Sequence, residues 1–307
     1  MKTPGSPSSW VLRFALLYIL FTVLFVIGTL PLAGVMPSEE TSEPGLVSPM
    51  SGLLIVAAVH VAVVAALILT TRWRGWKLAV GFALVYYVAV TVLPQTETWY
   101  FLSSITVGPR LLPLLFLMGV PPAFVFVPLA VWLLGRGSGA TDTSTRPKWA
   151  MPMAEWIWRL AIVVAAYIAL YWAAGYFIAW QNPELRAFYG QPGEAAPFVA
   201  HTQNALRDDP LLFAFQAFRA LLWVLCALPV IVGSRVNRWW TALVVGLLFS
   251  APQNAGMILA NPLMPIASVR LSHMIETASS TFIFGVIVVW VFYRGRHRPG
   301  DLAGPRT

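Results

Sequence analysis

Eight separate runs of this chain are each long and apolar enough to cross a lipid bilayer as a helix: residues 10–33, 51–71, 78–100, 111–134, 156–180, 211–233, 240–260 and 272–293. A helix needs roughly 20 apolar residues to span the hydrocarbon core. With 58% hydrophobic and 10% charged residues, a soluble globule would leave a large apolar surface wet. No water reaches the bilayer core to satisfy backbone groups, so each run must pair its own amides and carbonyls. The runs are continuous rather than short and alternating, which selects helices over barrel strands. The expected fold class is therefore all-α, a polytopic membrane helix bundle of eight transmembrane helices, with the lipid bilayer as its first partner.

The formal charge of +8 would fit nucleic acid if it were clustered, but its distribution follows the membrane instead. Of the 20 Lys and Arg, only Arg110, Arg186, Arg207, Arg219 and Arg270 fall on the side opposite the termini. The positive-inside rule then predicts a cell-membrane protein with both termini cytoplasmic, and no nucleic-acid partner. The first run has the Lys2 flank of a signal peptide, yet it is too long for a cleaved h-region. A single Cys226 inside an apolar run excludes a disulfide framework and reads as a small buried side chain.

The two halves echo each other. Trp10, Arg13 and Ala15 open the first run with the spacing of Trp156, Arg159 and Ala161 in the fifth. The turn Arg72-Trp73-Arg74-Gly75-Trp76 after the second run resembles Arg235-Val236-Asn237-Arg238-Trp239-Trp240 after the sixth. Pro94-Gln95 and Pro252-Gln253 are 158 residues apart, as are Trp132 with Arg136-Gly137 and Trp290 with Arg294-Gly295. Four echoes in one order predict a 4+4 parallel internal duplication. The division is a first four-helix repeat over 1–134, a cytoplasmic linker over 135–153, a second repeat over 154–298 and a cytoplasmic tail over 299–307. The linker glycines Gly137 and Gly139 are followed by no Lys-Ser/Thr pair, so they form no phosphate loop. The longest outer loops are 36–50, acidic through Glu39, Glu40 and Glu43, and 181–210, with room for a short helix around 184–189.

A proline followed by polar side chains, in corresponding apolar runs of two halves, is the best pointer to a binding site in such a chain. Here these are Pro94-Gln95-Thr96-Glu97 and Pro252-Gln253-Asn254. Proline removes the amide that its helix would use, so Gln95 or water must satisfy the carbonyl of Val90. Ionisable groups within a span are costly unless paired or hydrated. Arg219, Glu97, His273 and Glu276 share the outer halves of their runs with Gln95, Gln253 and Asn254, while the inner halves are almost wholly apolar. The expected pocket is lined by Gln95, Glu97, Arg110, Arg219, Gln253, Asn254, Arg270, His273 and Glu276. Arg219 calls for a carboxylate partner, either Glu97 or Glu276.

His273 and Glu276 stand three residues apart on one helix face, a spacing that can chelate a divalent metal ion. The further ligands would come from Glu97 and His60. The bland alternative is a wet helix end, and for Arg219 an ion pair that only locks the bundle. His60, mid-span between Val59 and Val61, reads as a neutral hydrogen-bonded core histidine, with a proton relay as the sharper reading. Pro121-Pro122 predict a kink in the fourth run. No Gly-x-Ser-x-Gly elbow occurs.

Three functions fit these features. An outward-facing polar pocket between parallel repeats suits a small-solute or proton-coupled carrier. Glu97, His273 and Glu276 as acid, base or ligands, with Arg110, Arg219 and Arg270 holding an anionic head group, would suit an enzyme acting on a lipid or lipid-linked substrate at the outer leaflet. A non-catalytic subunit needs the polar cluster only to pin helices together.

Overall fold

The computed structural model describes residues 7–38, 42–139 and 151–293. Lys2, Glu39, Glu40, most of the linker, the Arg294-Gly295 echo and the tail lie outside them. The described residues are all-helical, with one isolated backbone bridge between Thr71 and Ser234 and no strand. Eight helices are long and apolar enough to span a membrane: α1 Ser8–Leu32, α2 Pro49–Thr70, α3 Gly75–Leu102, α4 Leu111–Leu133, α5 Met153–Ala179, α8 Leu211–Gly233, α9 Arg238–Ile258 and α10 Ala267–Phe292. Between α5 and α8 lie two short helices, α6 Pro183–Phe188 and α7 Phe198–Asp208. Eight long apolar helices make this a multi-pass membrane protein. The end holding both termini is called here the terminal end, and the end holding α6 and α7 the distal end.

The spans agree with the apolar runs to within a few residues, and the main departure is at α10. It starts near residue 267 instead of 272 because its first turn is capped from another loop. Glu43 Oε2 accepts the amide of Ala267 at 2.7 Å, placing a carboxylate at the positive end of the helix. Arg270 Nη1 donates to the carbonyls of Met264 and Pro265, and its Nη2 to those of Glu43 and Pro44, all at 2.8–2.9 Å. A polar start that reads as loop in one dimension is thus helix in three.

The prolines act as expected on the backbone but by a different route. A π-helical stretch, Val88–Val92, precedes Pro94, and the amide of Leu93 donates to Val88. A second, Pro122–Phe126, begins at the Pro121-Pro122 pair, and a third, Gly175–Ala179, ends α5. The wider π turn shifts the register around a missing donor, and such turns concentrate at functional positions. Pro252 has no such turn and sits in regular α-helix.

Helix packing is reciprocal between the halves. Within the first, α1 packs on α2 and α4, and α3 on α4; within the second, α5 packs on α8 and α10, and α9 on α10. Across the halves α2 packs on α9, and α3 on α8. The terminal-end loops repeat the pattern atom by atom. The amide of Arg72 donates to the carbonyl of Gly233 at 2.8 Å, and that of Arg235 to the carbonyl of Thr70 at 2.9 Å. The Arg72 side chain donates to Val232 O at 2.6 Å and the Arg235 side chain to Leu69 O at 3.0 Å. Exchanging 69, 70 and 72 for 232, 233 and 235 converts each bond into another of the set.

The core forms around Phe21, Phe82, Phe126, Trp223, Phe249 and Phe284, each at most 1% exposed. Within it α9 and α10 come into backbone contact. A Cβ at Gly285 would stand 2.8 Å from Gly246 Cα, so these helices touch through backbone, the device that drives helix association in lipid. Gly285→Ala should force them apart and destabilise by about 1–3 kcal/mol. Gly256→Ala, where nothing lies within 4 Å, should not. Thermal unfolding in detergent checks this: equal midpoints for the two variants would contradict a backbone contact.

Candidate functional site

The polar residues of the spans converge at the distal end because α3, α5, α8, α9 and α10 present them at one depth. Arg219 of α8 is 2% exposed and meets Glu97 of α3 in a two-pronged contact, Nη1 to Oε1 at 3.0 Å and Nη2 to Oε2 at 2.6 Å. Nη1 also donates to Gln216 Oε1 at 3.0 Å, and the guanidinium lies 5.7 Å from the Phe215 ring centre and 5.9 Å from that of Tyr167. An arginine at this depth needs a matched fork geometry to offset its desolvation.

Opposite this pair, α10 carries Glu276, 5% exposed, whose Oε2 lies 3.0 Å from His273 Nδ1. The other ring nitrogen, Nε2, lies 3.0 Å from the Tyr189 hydroxyl just beyond α6. Burial, with the charges of Glu97 and Glu276 adding to it, pushes the Tyr189 phenol above its ordinary pKa. The phenol therefore stays protonated. One turn along α10, Thr277 donates to Asn254 Oδ1, and Asn254 Nδ2 donates to the carbonyl of Ser250 at 2.8 Å. Gln253 Nε2 donates back to the carbonyl of Phe249. The polar pair after Pro252 thereby caps its own helix end.

Two connected voids lie among these groups. The inner one, about 20 Å³ and roughly the size of one water, is lined by Glu97, Tyr167, Tyr171, Arg219, Gln253, Glu276, Thr277 and Thr281. The outer cavity, about 600 Å³, shares Glu97, Tyr171, Gln253, Glu276 and Thr277 with it. Its walls are Phe101 of α3, Trp172 and Tyr176 of α5, Trp180, Tyr189 and the α7 residues His201 and Asp208. The size is that of a small-molecule site.

α7 is tied down over the cavity by polar bonds. Trp172 Nε1 donates to Thr202 Oγ1 at 2.8 Å, and the Tyr176 hydroxyl to the carbonyl of Ala196 at 2.7 Å. The Tyr100 hydroxyl donates to both oxygens of Asp209, at 2.8 and 2.7 Å. Burial holds the His201 imidazole below its ordinary pKa, so it stays neutral near pH 7.

Below the inner void every contributing helix turns apolar within one turn. Trp223 follows Arg219, Phe249 precedes Gln253, and Phe284 follows Thr281. Their rings meet, with Trp223 4.3 Å from Phe249, and Phe284 4.8 Å from Tyr167. The cavity is thus closed toward the terminal end by aromatic side chains at 0–4% exposure.

Of the residues expected at the site, Glu97, Gln253, Asn254, His273 and Glu276 line the outer cavity, and Arg219 lines the inner void. Four do not. Gln95 turns away from both voids, its Oε1 buried without a hydrogen-bond partner among the described residues, and leaves the helix break to the π turn. Arg110 is exposed in the loop before α4. Arg270 is 2% exposed, with its donors committed to the four carbonyls that shape the α10 entry. His60 stacks on Phe21 with ring centres 4.7 Å apart, pairs through Nδ1 with the Tyr86 hydroxyl, and lies near the backbone of Pro252.

These placements remove the basis for an anionic ligand held by Arg110, Arg219 and Arg270, since Arg110 is exposed and lines neither void, Arg219 is neutralised by Glu97 and Arg270 is committed to loop carbonyls. They also weigh against the metal reading. No three His, Cys, Asp or Glu side chains gather to hold an ion among the described residues, and both His273 nitrogens already have partners. Sequence reasoning missed the aromatic walls. Trp172, Tyr176 and Trp180 recur every four residues at the end of an apolar run, with Tyr171 beside the first, and only the convergence of α7 and α10 distinguishes that from an interfacial belt.

Compared with known proteins, the chain matches no family model, no curated protein and no solved structure. The site must therefore be read from its own chemistry.

The Glu97–Arg219 pair yields a direct prediction. Glu97→Gln leaves a buried guanidinium without its counter-charge and should destabilise by about 3–5 kcal/mol, as should Arg219→Leu by stranding Glu97. The double variant should recover most of that loss, read as the coupling in a thermal double-mutant cycle. Additive losses would mean the two side chains contribute independently.

Proposed function

We propose that the protein is a carrier for a small organic solute, in a conformation open to its distal side. The observation that carries this reading is a cavity of about 600 Å³ whose floor is polar and buried and whose exit toward the terminal end is sealed by aromatic rings backed by the apolar core. A one-sided site closed at its other end is what alternating access requires in one of its states.

The reciprocal packing supports a 4+4 parallel duplication, with α1–α4 as one unit and α5, α8, α9 and α10 as the other. In that reading the equivalent interfaces α2 on α9 and α8 on α3 form the surface along which the halves rock. The bias of Lys and Arg supports a cytoplasmic terminal end, with the cavity mouth opening outside a cell membrane. Glu276, held by His273, would couple solute movement to a proton. His60 belongs to the packing between halves in this scheme, through Pro252.

A membrane-embedded enzyme is the second reading, and the hydrogen-bonded series Tyr189, His273, Glu276 favours it. A carboxylate orienting an imidazole toward the cavity is an acid–base arrangement. A non-catalytic subunit would need neither the cavity nor the series.

Accessibility of the seal separates these readings without knowledge of the solute. In a Cys226→Ser background, Val288→Cys places a thiol one turn below Phe284, at a position 0% exposed. A carrier in proteoliposomes should open this site to a hydrophilic maleimide from the terminal side within minutes. Folded protein whose thiol stays unreacted for hours from both sides would overturn the carrier and leave the enzyme.

A further inference from the structure

We propose that the outer cavity takes an organic cation, an amine or a quaternary ammonium, seated on the free oxygen of Glu276 and walled by aromatic rings. This rests on reading the cavity as a solute site and specifies the chemical class it accepts.

The first support is charge. The chain as a whole is strongly basic at +8, yet Glu97, Glu194, Asp208, Asp209 and Glu276 line this one cavity. Arg186 and Arg219 are the cations at its wall and floor, which leaves a formal excess of three negative charges. Neither cation has a fork to offer an anion. Arg186 donates Nη1 to Trp180 O at 2.6 Å, and Nε and Nη2 to Gly193 O at 2.9 and 2.7 Å. Arg219 is spent on Glu97 and Gln216.

The second support is an unpartnered acceptor. The Glu276 side chain is 7% exposed, and its Oε2 faces His273. Its Oε1 accepts no hydrogen bond from any described residue, although Glu276 lines both voids. The neighbour across from it is Gly175, where an added Cβ would come within 3.7 Å of Oε1. A side chain there would cover the oxygen, and glycine leaves it open. An acceptor that faces the void without a side-chain donor is open to a cationic ligand, which would offset the cost of holding a carboxylate this deep.

The third support is the wall. Tyr176 and Trp180 lie 5.3 and 5.2 Å from the His201 ring, and Trp180 and Tyr189 lie 6.4 Å apart. These rings and Glu276 line the same cavity, and aromatic faces stabilise ammonium groups through the ring quadrupole. A neutral polyol would gain from stacking but nothing from the charge excess.

Binding to the purified full chain in detergent tests this independently of transport. The probes are choline, ethanolamine and 3,3-dimethylbutan-1-ol, the last being the uncharged isostere of choline. At least one cation should bind about tenfold more tightly than the neutral isostere. Glu276→Gln should abolish that preference, and Trp180→Ala should weaken it. Gly175→Ala, which keeps the charge and only crowds Oε1, should reduce cation affinity several-fold and serves where Glu276→Gln fails to fold. Equal affinity for the isostere, or no cation bound at about 10 mM, overturns the proposal. Cation binding with an unreactive Val288→Cys gate would sink the carrier alone, whereas a reactive gate with no cation preference would sink only the ligand class.

Discussion

The pairing of Arg219 with Glu97 is the contact on which the distal half of the molecule depends. It joins α8 to α3, helices of opposite halves, at a depth where the buried guanidinium could not stand alone. Around it the bundle can keep a polar chamber open inside a membrane, because a matched pair leaves little field to be screened by water. Without it the same helices would have to bring apolar faces together, and the floor of the cavity would close. At the terminal end the halves are joined by backbone and by arginine–carbonyl bonds instead, through Thr70–Arg72 and Gly233–Arg235. A hinge-like seam at one end and a charge clasp at the other divide the molecule into a rigid apolar part and a chambered one.

Many of the arginines that make the chain basic serve the backbone. Arg270 and Arg186 gather loop carbonyls at the distal end; Arg72, Arg136, Arg159 and Arg235 take carbonyls at the terminal end. Helix ends leave carbonyls without amide donors, and at a membrane boundary a guanidinium with five N–H groups can satisfy several at once. This use of positive charge explains why a strongly basic chain encloses a cavity of the opposite sign.

The polar groups are also divided unevenly between halves that otherwise pack alike. Glu97 comes from the first half; Arg219, Gln253, Asn254, His273 and Glu276 come from the second, and α6 and α7 have no counterpart among the described residues. The chamber is consequently off the line between the halves, beneath the longer loop. The unlike contributions of the two halves, rather than their like packing, make the site.

The eight spans, the all-helical class, the placement of the short helix after residue 182 and the shared depth of the polar residues were legible in the amino-acid order, because bilayer thickness and the cost of a buried charge act on each helix separately. The preference of Arg219 for Glu97 over Glu276 was not, since both lie at a suitable depth and only the packing of α3 on α8 brings one within reach. Nor could local pattern tell that Arg270 would grip carbonyls while Glu276, six residues on, would face a cavity. One helix turn more or less separates a wall from a clasp, and relative rotation is set by neighbours such as Gly246 and Gly285. Hydrophobic length and charge cost thus determined what crosses the membrane and how deep each polar group lies; the tertiary structure alone decided which of those groups meet, because meeting depends on helix rotation and crossing, to which a one-dimensional pattern is blind.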